Sequence, residues 1–149
     1  MSSYRRVLLV LDLNEDSVTV GQRAREFAAA VGAEVELLHV VEFVPVEPMG
    51  ETIMPAVQIE NALLERAGVS LRAMATELGL PGAVCRVEAG NVKSEIVRVA
   101  RERRADLIVL GSRERHGLSI LVNLTEDTVL HAAPCDVLAV RVGPGPRVG

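Results

Sequence analysis

The stretch RVLLVLDLNEDS, residues 6–17, joins a strand pattern to the start of a helix. Its first part, 6–13, is a largely apolar run of strand length, which is typical of a parallel strand covered on both faces. The polar residues 14–17 include side chains that commonly cap helix N-termini. A strand that leads directly into a helix is the opening of a β–α–β unit, so this stretch predicts an α/β fold.

The same alternation of strand and helix continues along the chain. We predict five strands, over residues 6–13, 34–43, 82–90, 105–111 and 135–142. Helical periodicity fills the intervals, with one helix ending at Gly32, a second from Val57 to Gly79, a third over 91–104 and helical segments within 118–132. Residues 44–56 are rich in proline and lack periodicity, which indicates a loop. Successive right-handed crossovers then predict a Rossmann-like, five-stranded parallel, doubly wound sheet with helices on both faces.

Length and composition indicate one domain with an aliphatic core. The 149 residues fit a single domain, with the core over about 5–142 and a frayed tail at 143–149. Hydrophobic residues make up 49% of the chain and aromatic residues only 2%, so Val, Leu, Ile and Ala must fill the interior.

Charge and motifs exclude several classes of protein. The net charge of −4 provides no basic face for nucleic acid or a membrane surface. No apolar run approaches the ~20 residues that span a bilayer. The N-terminal residues lack a signal-peptide pattern, and two cysteines without a CxxC spacing suit a reducing compartment, so we expect a cytoplasmic protein. The three histidines have no spacing typical of a metal site.

A ligand site is expected at the carboxyl edge of the predicted sheet, where strand order reverses. Three loops emerge there, DLNEDS (12–17), HVVEF (39–43) and GSRERHG (111–117). A glycine after a buried strand, followed by a polar turn and a helix, is a common place for an anionic ligand. Here, however, Glu114 stands in the turn, and Glu126 with Asp127 can compensate the dipole of the next helix from within the chain.

Several segments, taken in order, resemble the universal stress protein family. VLLVLDLNEDS (7–17) resembles its opening strand, which ends in Asp, and LLHVVE (37–42) resembles its second strand. ADLIVLGSRERHGL (105–118), followed by HAAPCDVLAVRV (131–142), resembles its closing third. The resemblance covers about residues 5–142. It implies a Rossmann-like fold, a stress-associated role and, in members with a glycine signature, ATP binding.

That signature is Gly, two residues, Gly, nine residues, Gly, and then Ser or Thr. Gly111 and Thr125 match its ends, but Glu114 and Leu124 replace its second and third glycines. Glycine lets bare backbone N–H groups approach phosphate oxygens closely, and Leu124 places a side chain in that space. A carboxylate ~5 Å from a phosphate charge repels it by roughly 3 kcal/mol at an effective dielectric of 20. The substitutions therefore predict weakened or lost ATP binding.

The resemblance also assigns binding roles to other positions. Asp12 matches the aspartate near adenine and ribose, Val40 the position whose backbone meets adenine, and Gly90 a glycine that lines the nucleotide cleft. The complete set of candidate cofactor-binding residues is Asp12, Val40, Gly90, Gly111, Ser112, Arg113, Arg115 and Thr125. The adenosine half of a site is thus retained and the phosphate half altered. Capping of the first helix remains an equal alternative for Asp12.

We therefore expect a non-enzymatic regulatory or binding protein of the universal stress type, with weakened or absent ATP binding. The alternative is a functional ATP or AMP binder that tolerates the altered loop. No nucleophile elbow surrounds Ser119 and no Walker A motif is present, so no catalytic residue is assigned.

Two kinds of protein partner are expected. The last strand, 135–142, is apolar and no helix follows it, which leaves an edge open to pairing with a second copy. The resemblance likewise implies homodimers joined along this strand. The sequence does not identify the further partner protein that a regulatory role requires.

Overall fold

The structure, a computed structural model, describes residues 3–42, 56–113 and 129–142. Five strands and three helices alternate as predicted: β1 (Arg6–Val10), α1 (Ser17–Val31), β2 (Glu34–Val41), α2 (Ala56–Glu77), β3 (Cys85–Ala89), α3 (Val92–Glu102), β4 (Leu107–Arg113) and β5 (Asp136–Val142). Residues 129–132 form a further helical segment.

The strands form one parallel sheet in the order β3-β2-β1-β4-β5. From β1 the chain moves outward to β2 and β3, and then returns to the other side of β1 to form β4 and β5. The order therefore reverses at β1, and a crevice is expected at the carboxyl ends of β1 and β4. The predicted fold class is confirmed.

Aliphatic side chains fill the space on both faces of the sheet. On one face α1 and α2 cover alternate strand residues, and the largest fully buried members of this cluster are Leu9, Leu11, Leu37 and Leu71. On the other face α3 covers Leu8, Leu38 and Ile108 with Ile96 and Val99. Helices on both faces mark a doubly wound sheet, as the apolar strands predicted.

Seven of the ten strand bounds differ from the sequence prediction by one to three residues, and the ends of β1 and β4 bear most on the site. β1 ends at Val10 rather than at residue 13, because Leu13 adopts a left-handed backbone conformation with φ 60° that turns the chain out of the sheet. β4 continues past Gly111 to Arg113, because it stays in register with β5 as far as the Arg113–Val142 pair. Both ends lie at the carboxyl edge, where a ligand is expected.

No helix within the described ranges is long and apolar enough to cross a membrane.

Candidate functional site

Three of the predicted site residues meet at the carboxyl edge of neighbouring strands. Asp12 follows Leu11, whose backbone N–H donates to the carbonyl of Leu38 in β2 (2.9 Å). Val40 lies two residues further along β2, and the N–H of Gly90 donates to the carbonyl of the adjoining Val41 (3.0 Å). We call the space bordered by Asp12, Val40 and Gly90 the carboxyl cleft.

The backbone of Val40 is open toward this cleft. In a parallel strand, the N–H and C=O groups of alternate residues point to the same neighbour. Leu38 bonds toward β1, so Val40 also directs its backbone groups to that side. The β1 ladder stops at the Leu11–Leu38 bond, and no hydrogen bond from the described residues reaches the Val40 backbone. The cleft therefore offers one donor and one acceptor side by side.

Asp12 does not cap α1. The N-cap residue is Asp16, and the turn before it is held by Asn14 Oδ1, which accepts from Asp16 N–H (2.9 Å), and by Ser17 Oγ, which accepts from Asn14 N–H (3.1 Å). Asp12 itself is exposed and has no hydrogen bond or ion pair with the described part of the chain. Of the two roles considered for Asp12, capping is not realised, and its carboxylate is available to a ligand.

Gly90 forms the β3 side of the cleft as bare backbone. Its φ of 147° is a conformation that favours glycine. A Cβ atom there would also lie 3.2 Å from Cγ of Glu95, in the first turn of α3. Asn91 caps that helix, with Oδ1 accepting from the N–H of Ser94 (3.1 Å). The β3–α3 turn is thus fixed against the helix end.

Glu95 adds a charge beside this wall. Its carboxylate accepts two hydrogen bonds from Arg98, from Nε (2.8 Å) and Nη2 (3.1 Å), and this pairing holds the pKa of Glu95 below its usual range. Neither residue was among the site residues predicted from the sequence. The signal available was their i, i+3 spacing directly after the Gly90–Asn91 turn.

Gly111, a candidate residue on β4, has a packing role that the sequence did not show. Gly111 and Ser112 lie within β4 rather than in a turn, in register with β5. A Cβ at Gly111 would lie 3.1 Å from Val20 Cγ2 in α1 and 3.5 Å from Val142 Cγ2. The glycine therefore lets α1 approach the sheet, whatever its part in a phosphate site.

The structure describes only some of the other positions predicted for the phosphate side. Arg113 is the last residue of β4. Arg115 and Thr125, together with the substituted positions Glu114 and Leu124, lie outside the described residues. The structure thus brings together the residues predicted for the adenosine side, and binding by either side stays a prediction.

Metal and thiol chemistry find no support in the described residues. No group of three His, Cys, Asp or Glu side chains within residues 3–42, 56–113 and 129–142 is arranged to hold a metal ion. Both cysteines are free thiols, and burial raises the pKa of Cys85 and raises that of Cys135 to about 11. A high pKa disfavours the reactive thiolate.

Comparisons with known proteins agree with this architecture. The model of the universal stress protein family matches residues 3–141. Universal stress protein A homolog 2 of Coxiella burnetii is 35% identical over 144 residues, spanning 95% of this chain and 98% of the relative.

Two solved structures share the fold. A universal stress protein in complex with cAMP aligns with a TM-score of 0.69 at 23% identity, over 95% of this chain and 100% of its own. The universal stress protein of Archaeoglobus fulgidus in complex with dAMP aligns with a TM-score of 0.58 at 19% identity, over 93% of this chain and 99% of its own.

Proposed function

Because the chain belongs to the universal stress protein family, we propose that it is a non-enzymatic, stress-associated binding protein whose carboxyl cleft takes the adenosine part of a nucleotide. One observation carries this proposal: the Val40 backbone without a hydrogen-bond partner in the described structure and the Asp12 carboxylate, which caps no helix, lie at the same edge of the sheet. We place its action in the cytoplasm, where an unidentified partner protein reads the bound state.

The chemistry of adenosine fits these groups. Adenine carries an amino donor next to ring-nitrogen acceptors, which matches the acceptor and donor of the Val40 backbone. A carboxylate at the end of a strand is a common partner of ribose hydroxyls, and Asp12 occupies such a position. The complexes of two similar proteins with cAMP and dAMP support a ligand of this class.

The phosphate half of the site supports weak binding of ATP rather than its turnover. Phosphoryl transfer needs a metal ion and fixed cations around the developing charge. The sequence instead supplies carboxylate Glu114 and the bulk of Leu124 where the family signature has glycine. We therefore propose that AMP and adenosine bind at least as well as ATP, and that the bound nucleotide acts as a signal.

Calorimetric titration of adenosine, AMP and ATP tests this proposal. We expect saturable binding of adenosine and AMP, and no tighter binding of ATP. Asp12→Asn should weaken the binding of adenosine and of AMP by roughly tenfold each, since a hydrogen bond to a charged group contributes about 1.5–3 kcal/mol. Glu34→Gln is the matched control, because Glu34 is exposed at the opposite end of β2. Absence of binding by all three ligands would overturn the proposal, and ATP binding a hundredfold tighter than AMP would establish the alternative, a full ATP site.

A further inference from the structure

Arg98 is the centre of an ion-pair cluster beside the carboxyl cleft. Its guanidinium pairs with Glu95 (2.8 Å), with Glu102 (2.9 Å) and with Glu88 (3.4 Å). A second arginine, Arg86, pairs with Glu88 (2.6 Å) and with Glu102 (3.1 Å). Three carboxylates and two guanidinium groups thus share one surface of β3 and α3.

The three carboxylates do not depend equally on Arg98. Without it, Glu88 and Glu102 would keep their pairs with Arg86, but Glu95 would lose its only ion pair among the described residues. Glu95 is also the most buried of the three, with its side chain 17% exposed. Loss of Arg98 would therefore leave Glu95, alone of the three, without an ion pair in the described structure, with only the field of Arg86 still acting on its charge.

That charge would appear at the wall of the cleft. The Glu95 side chain packs closely over Gly90, since a Cβ atom added to Gly90 would lie only 3.5 Å from Oε1 of Glu95. Gly90 in turn is hydrogen-bonded to Val41, the neighbour of Val40. An unscreened carboxylate at this wall would repel the phosphate of a nucleotide but would scarcely affect a neutral nucleoside.

We propose that Arg98 is a specificity-determining residue, which screens the Glu95 carboxylate and thereby lets the carboxyl cleft accept an anionic ligand. Arg98 acts through Glu95 and does not itself contact the ligand. This inference rests on the proposed adenosine site. It adds a reason why that site can accept a ligand that carries a phosphate group.

The test compares adenosine with AMP in matched variants at low ionic strength. Arg98→Ala should weaken the binding of AMP by roughly tenfold, which is the scale of one charge pair at the edge of a cleft. The same variant should weaken the binding of adenosine by less than about twofold, because adenosine is neutral. The double variant Arg98→Ala/Glu95→Gln should recover AMP affinity, because the released charge is gone. Arg101→Ala is the control, since it removes the same charge from the same helix at an exposed residue without an ion pair in the described structure. Added salt should reduce the difference in AMP affinity between the wild type and Arg98→Ala, because salt screens the repulsion.

A purely structural role for Arg98 would give a different pattern. Equal losses for adenosine and AMP, without recovery in the double variant, would overturn the inference. An NMR titration of the Glu95 carboxyl group without ligand separates this inference from the proposed function. Its pKa should rise toward the ordinary value in Arg98→Ala and stay low in Arg101→Ala. An unchanged value would overturn the inference, whereas a wild type that binds neither ligand would overturn the adenosine site itself.

Discussion

His39 Nδ1 donates a hydrogen bond of 2.6 Å to the carbonyl of Leu11, at the point where β1 leaves the sheet. In a continuing ladder that carbonyl would accept from the backbone N–H of Val40. The imidazole therefore takes the place of the next rung and keeps the Val40 backbone free. The hydrogen bond thus gives His39 a structural partner within the fold.

We expect His39→Leu to lower both stability and nucleotide affinity. The carbonyl of the buried Leu11 would lose its side-chain donor, at a cost of up to about 1–3 kcal/mol in the free energy of unfolding, which a new bond from Val40 N–H would partly offset. Val40 N–H would also be able to pair with Leu11 and so become less available to adenine. Urea denaturation and AMP titration measure the two effects. Unchanged AMP affinity in a folded variant would show that His39 does not keep the Val40 backbone open.

Two helical glycines should respond to alanine with opposite signs. A Cβ at Gly21 in α1 would overlap Leu78 Cδ1 and approach Cδ2 to 2.8 Å, so Gly21→Ala should destabilise the protein by about 1–3 kcal/mol through overpacking. At Gly68 in α2 a Cβ would meet only the flexible end of Arg72, at 3.4 Å. Gly68→Ala should therefore stabilise by up to about 1 kcal/mol through helix propensity. Thermal or urea denaturation of both variants decides the matter, and a stabilising Gly21→Ala would contradict the close packing of α1 against Leu78.

The sequence predicted the strands better than it predicted their ends. Short runs rich in apolar residues identify the strands locally, and all five were confirmed. The end of β1 depends on a left-handed Leu13, a conformation that leucine rarely adopts, and the end of β4 depends on register with β5. Neither follows from local pattern, because a neighbouring part of the fold decides each one.

The same limit applies to the site. The resemblance located Asp12, Val40 and Gly90 at one edge, but their availability depends on which hydrogen bonds are already made. Asp12 could have capped α1, and only the structure shows that Asn14 and Ser17 hold that turn instead. An aspartate's partners are not encoded by its position alone.

Acid should remove the contribution of Asp106 to stability. Its Oδ2 accepts hydrogen bonds from the backbone N–H groups of Arg5 (2.8 Å) and Arg6 (2.9 Å), which lower its pKa from the ordinary value of 3.8. Because the folded pKa lies below the unfolded one, the stabilisation is fully present above pH 3.8 and is lost as pH falls through the folded value. Asp106→Asn should therefore be less stable than wild type at pH 7, and the difference should shrink below about pH 4. A difference that stays constant down to pH 2 would contradict this assignment.

We propose that β5 pairs with β5 of a second copy. Of the two edge strands, β3 is five residues long and carries the Arg86–Glu88 ion pair, a feature that protects edges. β5 is seven residues long and exposes Leu138, 36% accessible, beside an open groove of about 590 Å³ that α1 borders with Phe27.

Leu138→Lys should therefore shift a dimer to monomer in sedimentation velocity, because the lysine charge would have to be buried against the second copy. Val69→Lys provides the control, since Val69 is 58% exposed on α2, away from β5. This variant should remain dimeric. A wild type that stays monomeric at high micromolar concentration would exclude the interface.

Restoring glycine at the two altered signature positions should restore ATP binding. Glu114→Gly removes a carboxylate whose repulsion of phosphate we estimate at ~2–3 kcal/mol. Leu124→Gly removes a side chain and so lets the backbone beside Thr125 approach the phosphate oxygens closely. The two changes should be more than additive, because both act on the same triphosphate. Each added glycine costs roughly 1 kcal/mol in stability where the backbone does not need positive φ. Calorimetry should show a large gain for ATP and a small one for AMP, since AMP draws mainly on the Asp12 and Val40 side of the cleft. A folded double variant that still ignores ATP would show that the loss lies elsewhere, and tight ATP binding by the wild type would show that Glu114 does not oppose the phosphates.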